Sequence, residues 1–343
     1  MLSTDQSIHS FANDTPGVTT PVTSAIASNA LVVWRLLDGK PGHEHQSLGL
    51  VNAMQQRTAL HVIDIPVGHP GLGWLYLLGG VWPSGQVLPK PDMIVGAGHA
   101  THGHMLAAKR AYGGKTVCMM QPSLPAELFD VCLIPEHDEY RGYSSFIETR
   151  GVINHIQPAG ADKKDAHEVL IMIGGPSKHF HWDELGVVAQ VYDLVRKHTD
   201  VHFVLTTSRR TPGSFVSAMQ RVKLPNLTIV PIAQTDKDWV QTKLTQVSTA
   251  WVTEDSVSMV YEALTAQVAV GLINLSAKKR GRVSRGIEKL IDRQLVTRYD
   301  PYGLYRQFMR PVLGFNEASR CSKALLAYFN GAYTNRRLVS RLS

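Results

Sequence analysis

One pattern constrains this chain more than any other. Short apolar runs end in small or polar residues and lead directly into amphipathic helices. The clearest copy lies at residues 249–264. An apolar strand over residues 250–252 turns through Thr253, Glu254 and Asp255. From Ser256 the spacing of Val257, Val260, Tyr261 and Leu264 marks one buried helix face. Asp255 or Ser256 is placed to cap that helix, because a short side-chain oxygen takes up a free amide of the first turn. In an open α/β sheet, ligands bind at such carboxyl ends of strands. Free amides and the helix dipole there attract phosphate. Glu262, a turn and a half further on, is in reach of a hydroxyl-bearing group such as a ribose. An ordinary βα unit with a good cap reads the same way from the local pattern alone.

The unit recurs. Residues 31–37 predict a first strand, then a shaped loop, Asp38-Gly39-Lys40-Pro41-Gly42-His43-Glu44-His45-Gln46, then a helix with Ser47 as its expected cap. Further strands are expected at 61–65, 91–96, 115–121 and 130–135, with a helix over 101–111. The alternation lapses around 149–160, and residues 158–165 are polar. The domain boundary is therefore expected between 157 and 158. A second alternation follows, with strands at 168–173, 201–205, 227–230 and 268–273 flanking the opening unit. Helices are expected at 182–197, from about 213, at 239–244, 284–292 and 319–329. The fold class is α/β, with two doubly wound parallel sheets. A chain of 343 residues suits two domains with separate cores. These are residues 30–157 and 158–343, the terminal helix being free to pack back on the first. Residues 1–29, rich in Ser, Thr, Asn and Asp, are expected to form a disordered extension and do not read as a secretory signal.

Composition excludes several classes. Charged residues at 18% and apolar residues at 44% are ordinary for a soluble globular protein. Three scattered cysteines, Cys118, Cys132 and Cys321, make neither a disulfide framework nor a zinc site. A reducing, cytoplasmic compartment is the expectation. No stretch reaches the roughly 18 uninterrupted apolar residues of a membrane helix, and residues 72–82 are too short. The net charge of +7 is partly concentrated in Lys278, Lys279, Arg280, Arg282 and Arg285. Such a cluster suits a diphosphate or the anionic inner face of a membrane. No zinc-finger spacing or aromatic RNA-binding signature accompanies it, so nucleic acid is not expected as a partner.

Three strand ends of the second half carry phosphate-binding chemistry. Gly174 and Gly175 let backbone approach a ligand, and Ser177 extends that cradle. Ser208, Arg209 and Arg210 follow the next strand, and guanidiniums suit phosphate oxygens because their donors form a planar fork. Glu254, Asp255, Ser256 and Ser258 mark the third. Neither GxGxxG nor a Walker motif is present. In the first half, His43 titrates near neutrality and is the candidate base, with Asp38 or Glu44 to orient or replace it. Lys40, Gly42, Gln46, Gly98 and His99 share the same edge. His102 and His104 are two apart on a helix and point to different sides, so no metal site is expected.

Four motifs stand in a fixed order: residues 38–43, Gly174-Gly175-Pro176-Ser177, Thr207-Ser208-Arg209-Arg210-Thr211-Pro212, and Val252-Thr253-Glu254-Asp255-Ser256-Val257-Ser258-Met259. Together they resemble the family named for the plant "elongated mitochondria" fission factor, whose bacterial members are described as glycosyltransferases. The resemblance spans residue 31 to the C-terminus. It implies a GT-B-like fold: two Rossmann-like domains facing a cleft, with a nucleotide-diphosphate sugar on the C-terminal one and no cofactor. It is distantly similar to the N-acetylglucosaminyltransferase of peptidoglycan lipid synthesis. Glu262 falls where such enzymes place a ribose-binding carboxylate. The first domain would hold a cell-envelope glycan or lipid acceptor. His45 departs from the Asn expected in the family loop. A sugar-epimerase reading fits poorly, because no GxxGxxG follows the first strand. The alternative implied by the plant members is a non-catalytic membrane adaptor that uses the basic loop 278–285.

Overall fold

The structure, a computed structural model, describes residues 30–142, 145–160 and 164–331. The expected extension at residues 1–29 lies outside them. Two sheets of six parallel strands each organise the chain. The first contains β1 (Leu31–Leu37), β2 (Leu60–Pro66), β3 (Met93–Ala97), β4 (Lys115–Met119), β5 (Val131–Pro135) and β6 (Phe146–Thr149), in the order β2-β1-β3-β4-β5-β6. Its helices are α1 (Pro41–Gln55), α2 (Pro70–Gly79) and α3 (His99–Tyr112). The second contains β7 (Asp165–Ile173), β8 (His202–Thr207), β9 (Leu227–Val230), β10 (Val247–Thr253), β11 (Ala269–Ile273) and β12 (Thr297–Arg298), in the order β12-β11-β10-β7-β8-β9. Between and after these strands run α4 (Glu184–Lys197), α5 (Gly213–Val222), α6 (Trp239–Gln246), α7 (Val257–Thr265), α8 (Arg282–Asp292) and α9 (Glu317–Phe329). Strands β3, β5 and β11 are buried along their whole length, as a parallel sheet covered on both faces requires.

Each order contains one reversal, between β1 and β3 in the first sheet and between β7 and β10 in the second. These switch points open a crevice at the carboxyl ends of the strands. The loops that meet there follow β1 and β3 on one side and β7 and β10 on the other.

Several local expectations change. Helix α1 begins at Pro41, not near Ser47, because proline presets the first helical turn and lacks the amide that would otherwise go unpaired. Ser47 is buried inside α1 and caps nothing; its hydroxyl donates to Glu44 O at 3.1 Å. Helix α3 begins at His99, so His99 stands on its first turn, not in a loop. Strand β4 stops at Met119 because Met120 turns into the left-handed region, with φ 69°. Helix α2 and strands β6 and β12 were not anticipated. The three cysteines are buried thiols. Among the described residues, no helix is long and apolar enough to cross a membrane.

The chain's last helix returns to the first sheet. Ala318, Cys321, Ala324 and Leu325 of α9 enter the core formed by Val33, Leu50, Met54 and Ile147. Arg57 of the first half donates to Ser322 Oγ at 3.1 Å, and Arg320 donates to Glu148 O at 2.6 Å. Between the sheets, the segment at 150–156 lies wedged against both halves. A Cβ on Gly49 of α1 would stand 2.0 Å from Asn154 O, and one on Gly151 would stand 1.9 Å from the Tyr261 ring of α7. Asn154 Nδ2 donates to Tyr261 O at 3.2 Å and Thr265 Oγ1 at 3.0 Å.

A second contact crosses the halves through charge. Arg293 makes a bidentate pair with Glu136, both distances 2.8 Å. Arg282 reaches Asp138 at 2.9 Å and Arg285 reaches Glu139 at 3.5 Å. Two arginines of the basic loop are therefore committed to acids of the first half, which removes them from the free lipid-facing cluster expected above.

Leu325→Ala tests the return of α9. Leu325 is fully buried, so its truncation is expected to cost about 2–5 kcal/mol. The loss is read in denaturant unfolding. An exposed-site value near zero would place α9 off the core.

Candidate functional site

The first side of the crevice is built by β1 and α1. Arg35 on β1 is buried; it pairs with Asp64 on β2 and donates to Glu44 O at 3.1 Å and Ser47 Oγ at 3.3 Å. It thereby fixes the first turn of α1 against the sheet. On that turn, His43 Nδ1 lies 2.8 Å from Asp38 Oδ2, and the Asp38 side chain is buried. A carboxylate at Nδ1 holds the proton there and leaves Nε2 as the basic nitrogen. Gly98 makes this pair sterically allowed. It has φ +86°, and a Cβ there would stand 2.3 Å from His43 Nδ1. Lys40 Nζ lies 3.8 Å from Asp38 Oδ2.

The other expected residues of this side take different parts. Glu44 Oε1 accepts from Gly39 N at 3.1 Å, so it closes the loop on itself. Gln46 is buried and donates to Gly42 O at 3.2 Å. His99 is exposed at the start of α3. His102 and His104 are buried among different partners: His102 beside Cys118 and Ser123, His104 accepting from Trp82 Nε1 at 3.3 Å. Burial, with His99 nearby, pushes His102 down to about 4. His45 packs against His155 of the connecting segment, the rings tilted by 51° with 4.3 Å between centroids. Burial lowers both, His155 to about 4.

On the second side, the three strand ends are joined by direct bonds. Gly174 N donates to Thr253 Oγ1 at 2.7 Å, and Gly175 N donates to Asp255 Oδ2 at 3.0 Å. Ser208 Oγ donates to Gly174 O at 2.8 Å. Arg210 Nη1 lies 2.8 Å from Asp255 Oδ2 and donates to Gly175 O at 2.9 Å. Both glycines are needed for this closeness. A Cβ on Gly174 would stand 2.3 Å from Asp255 Oδ2, and one on Gly175 would stand 2.3 Å from Arg210 O.

Asp255 thus spends Oδ2 on Gly175 N and on Arg210, its buried Oδ1 has no partner among the described residues, and it does not cap α7. Ser256 occupies the N-cap position, but its side chain makes no capping bond. The expected cap is absent, and the first amides of α7, at Val257, Ser258 and Met259, have no acceptor among the described residues. Arg209 is exposed, and its charge reaches His45 on the other side of the crevice. Glu254 is taken up structurally: Leu275 N donates to its Oε2 at 2.9 Å, and Arg298 Nε donates to its Oε1 at 2.6 Å. Ser177 Oγ accepts from Phe180 N at 3.1 Å, which makes it a turn-former.

Glu262 shares a helix face with Ser258, one turn apart. It is half-buried and has no hydrogen-bond or ion-pair partner among the described residues. Sequence reasoning missed Arg35 and Met120. Arg35 sits in an apolar run, and nothing in its neighbours marks a buried guanidinium.

A family model described as mitochondrial fission ELM1 matches residues 41–329. The chain belongs to this family. Among solved structures, it is similar to UDP-GlcNAc 2-epimerase from Methanocaldococcus jannaschii, with TM-score 0.55 and 9% identity over 87% of this chain and 100% of that one. It is also similar to S. aureus MnaA in a co-structure with UDP, with TM-score 0.54 and 13% identity over 89% and 98%. A third is Arabidopsis thaliana UGT89C1 complexed with UDP, with TM-score 0.54 and 11% identity over 88% and 100%. At these identities the likeness shows the fold, two Rossmann-like domains of GT-B type. No curated protein matches the sequence. Sugar epimerases are among the proteins that share this fold.

Burial pushes the Glu262 carboxyl up to about 7 from 4.5. Between these values the folded chain holds a proton that the unfolded chain has released, so this group costs stability as pH rises from 4.5 to 7. Glu262→Gln is expected to raise the melting temperature at pH 8 and to bring no such gain at pH 4. Equal effects at both pH values would contradict a burial-driven shift.

Proposed function

We propose that this chain transfers a sugar from a nucleotide diphosphate sugar to a hydroxyl of a glycan or lipid acceptor. The carrying observation is Glu262, an unpartnered half-buried carboxylate on the same helix as the uncapped amides of α7. A carboxylate so placed accepts hydrogen bonds from a ribose when the diphosphate lies at the helix start. Arg209 and the free nitrogens of Arg210 supply positive charge to the leaving diphosphate, in place of a metal ion. Gly174, Gly175 and Ser208 keep the backbone close enough for that approach.

On the opposite side, His43 removes the proton from the acceptor hydroxyl through Nε2. Asp38 holds the ring in the required tautomer and stabilises the imidazolium that forms. Asp38 is a positioning residue here, and Glu44 shapes the loop. Lys40 and Gly42 border the space left to the acceptor. The UDP bound in the MnaA and UGT89C1 structures makes uridine nucleotides the first to test. The adaptor alternative loses support from its basic loop, since Arg282 and Arg285 pair within the molecule.

A thermal-shift series with UDP, GDP, CDP, ADP and TDP, and their common sugars, tests the reading. A ligand selective for the folded state raises the melting temperature by mass action. One nucleotide is expected to give a clear shift that Glu262→Ala reduces. His43→Ala is expected to keep the shift and to lower transfer by about 100-fold or more. No shift with any nucleotide would overturn the donor site. Conversion of the nucleotide sugar without an acceptor would redirect the assignment to epimerisation.

A further inference from the structure

The run from Pro70 to Pro89 contains no charged residue, and the functional reading above makes no use of it. Its first half is α2. One face of α2 packs on α3 with glycine-mediated closeness: a Cβ on Gly73 would stand 2.6 Å from His104 N. The opposite face carries Trp74, Leu75 and Leu78, which share one side at helical spacing. Leu75 is 63% exposed and Leu78 is 78% exposed. Val81 and Val87, later in the same uncharged run, are also exposed, Val87 at 91%. Leaving so many large side chains of one element in water is costly, since each would gain from burial.

The rim of this face is cationic. The Arg110 guanidinium would lie 3.4 Å from a Cβ on Gly80, at the C-terminal end of α2. Lys90 closes the uncharged run. Neither Arg110 nor Lys90 has an ion-pair partner among the described residues. At the other end, α2 starts just after the carboxyl end of β2, on the sheet edge that also carries Asp38 and Gly98.

We propose that the outer face of α2, with Val81 and Val87, docks the protein on an anionic phospholipid bilayer. Trp74, Leu75 and Leu78 enter the boundary between headgroups and acyl chains, and Arg110 and Lys90 meet lipid phosphates. An apolar face with a basic rim and an aromatic side chain is the pattern of interfacial helices. A second copy of the chain fits less well. A contact between two such faces would bring two copies of Arg110 and Lys90 to one interface, with no acid in the run to pair them. The proposal stands apart from the transfer reading, because lipid binding is measured without nucleotide or turnover.

The experiment is flotation of the full chain with phosphatidylcholine vesicles, with and without phosphatidylglycerol. The protein is expected to float with the anionic vesicles and to release at high salt. Leu75→Glu with Leu78→Glu is expected to weaken that binding about tenfold or more. Both positions are exposed, so the variant's melting temperature is expected to match the parent's. Should the variant fold poorly, brominated acyl chains read insertion in the parent: quenching that Trp74→Phe removes supports docking through α2. Equal flotation of parent and double variant, or no quenching at Trp74, would overturn the proposal. So would a dimer, formed without vesicles, that the two glutamates abolish.

Discussion

The second domain depends on where one buried carboxylate sends its charge. Asp255 stands at the end of β10, where a helix cap is the local expectation. It instead accepts the Gly175 amide and pairs with Arg210. A buried charge persists only when paired and hydrogen-bonded, and here two other strand ends, after β7 and β8, supply the partners. The arrangement locks β7, β8 and β10 together at the switch point. It also leaves the start of α7 without a cap, so the amides that Asp255 would have consumed remain for an anion.

The first domain reaches a comparable result by different means. There α1 and α3 also start without a side-chain cap. A glycine with positive φ makes room, and Asp38 and His43 occupy it. Arg35 sets the turn on which His43 is mounted, from beneath. In both domains the candidate residues sit beside a reversal of strand order. A reversal separates two neighbouring loops and leaves a crevice that packing does not fill.

Much of this was legible in the sequence. Both sheets followed from the alternation of apolar runs and helices, and the three strand ends of the second half were grouped correctly by topology. What was hidden has physical causes. Helix α2 escaped because it is apolar nearly all round and carries three glycines, so no helical period stands out. Met120 adopts a conformation that its residue type does not advertise. The expected cap at Ser47 failed because Pro41 starts the helix earlier. Glu254 and Glu262 look alike as sequence positions, yet one is held by Leu275 N and Arg298 and the other has no partner. Only the fold decides which carboxylate is spent.

The two halves are held by contacts of different kinds. Each domain has its own apolar core, and the segment at 150–156 packs against both. The acids at 136–139 and Arg282, Arg285 and Arg293 add a contact that rests largely on charge, and it is partly exposed. Salt weakens exposed ion pairs while leaving apolar packing intact or slightly stronger. Ionic strength therefore loosens this contact before it disturbs the core of either domain.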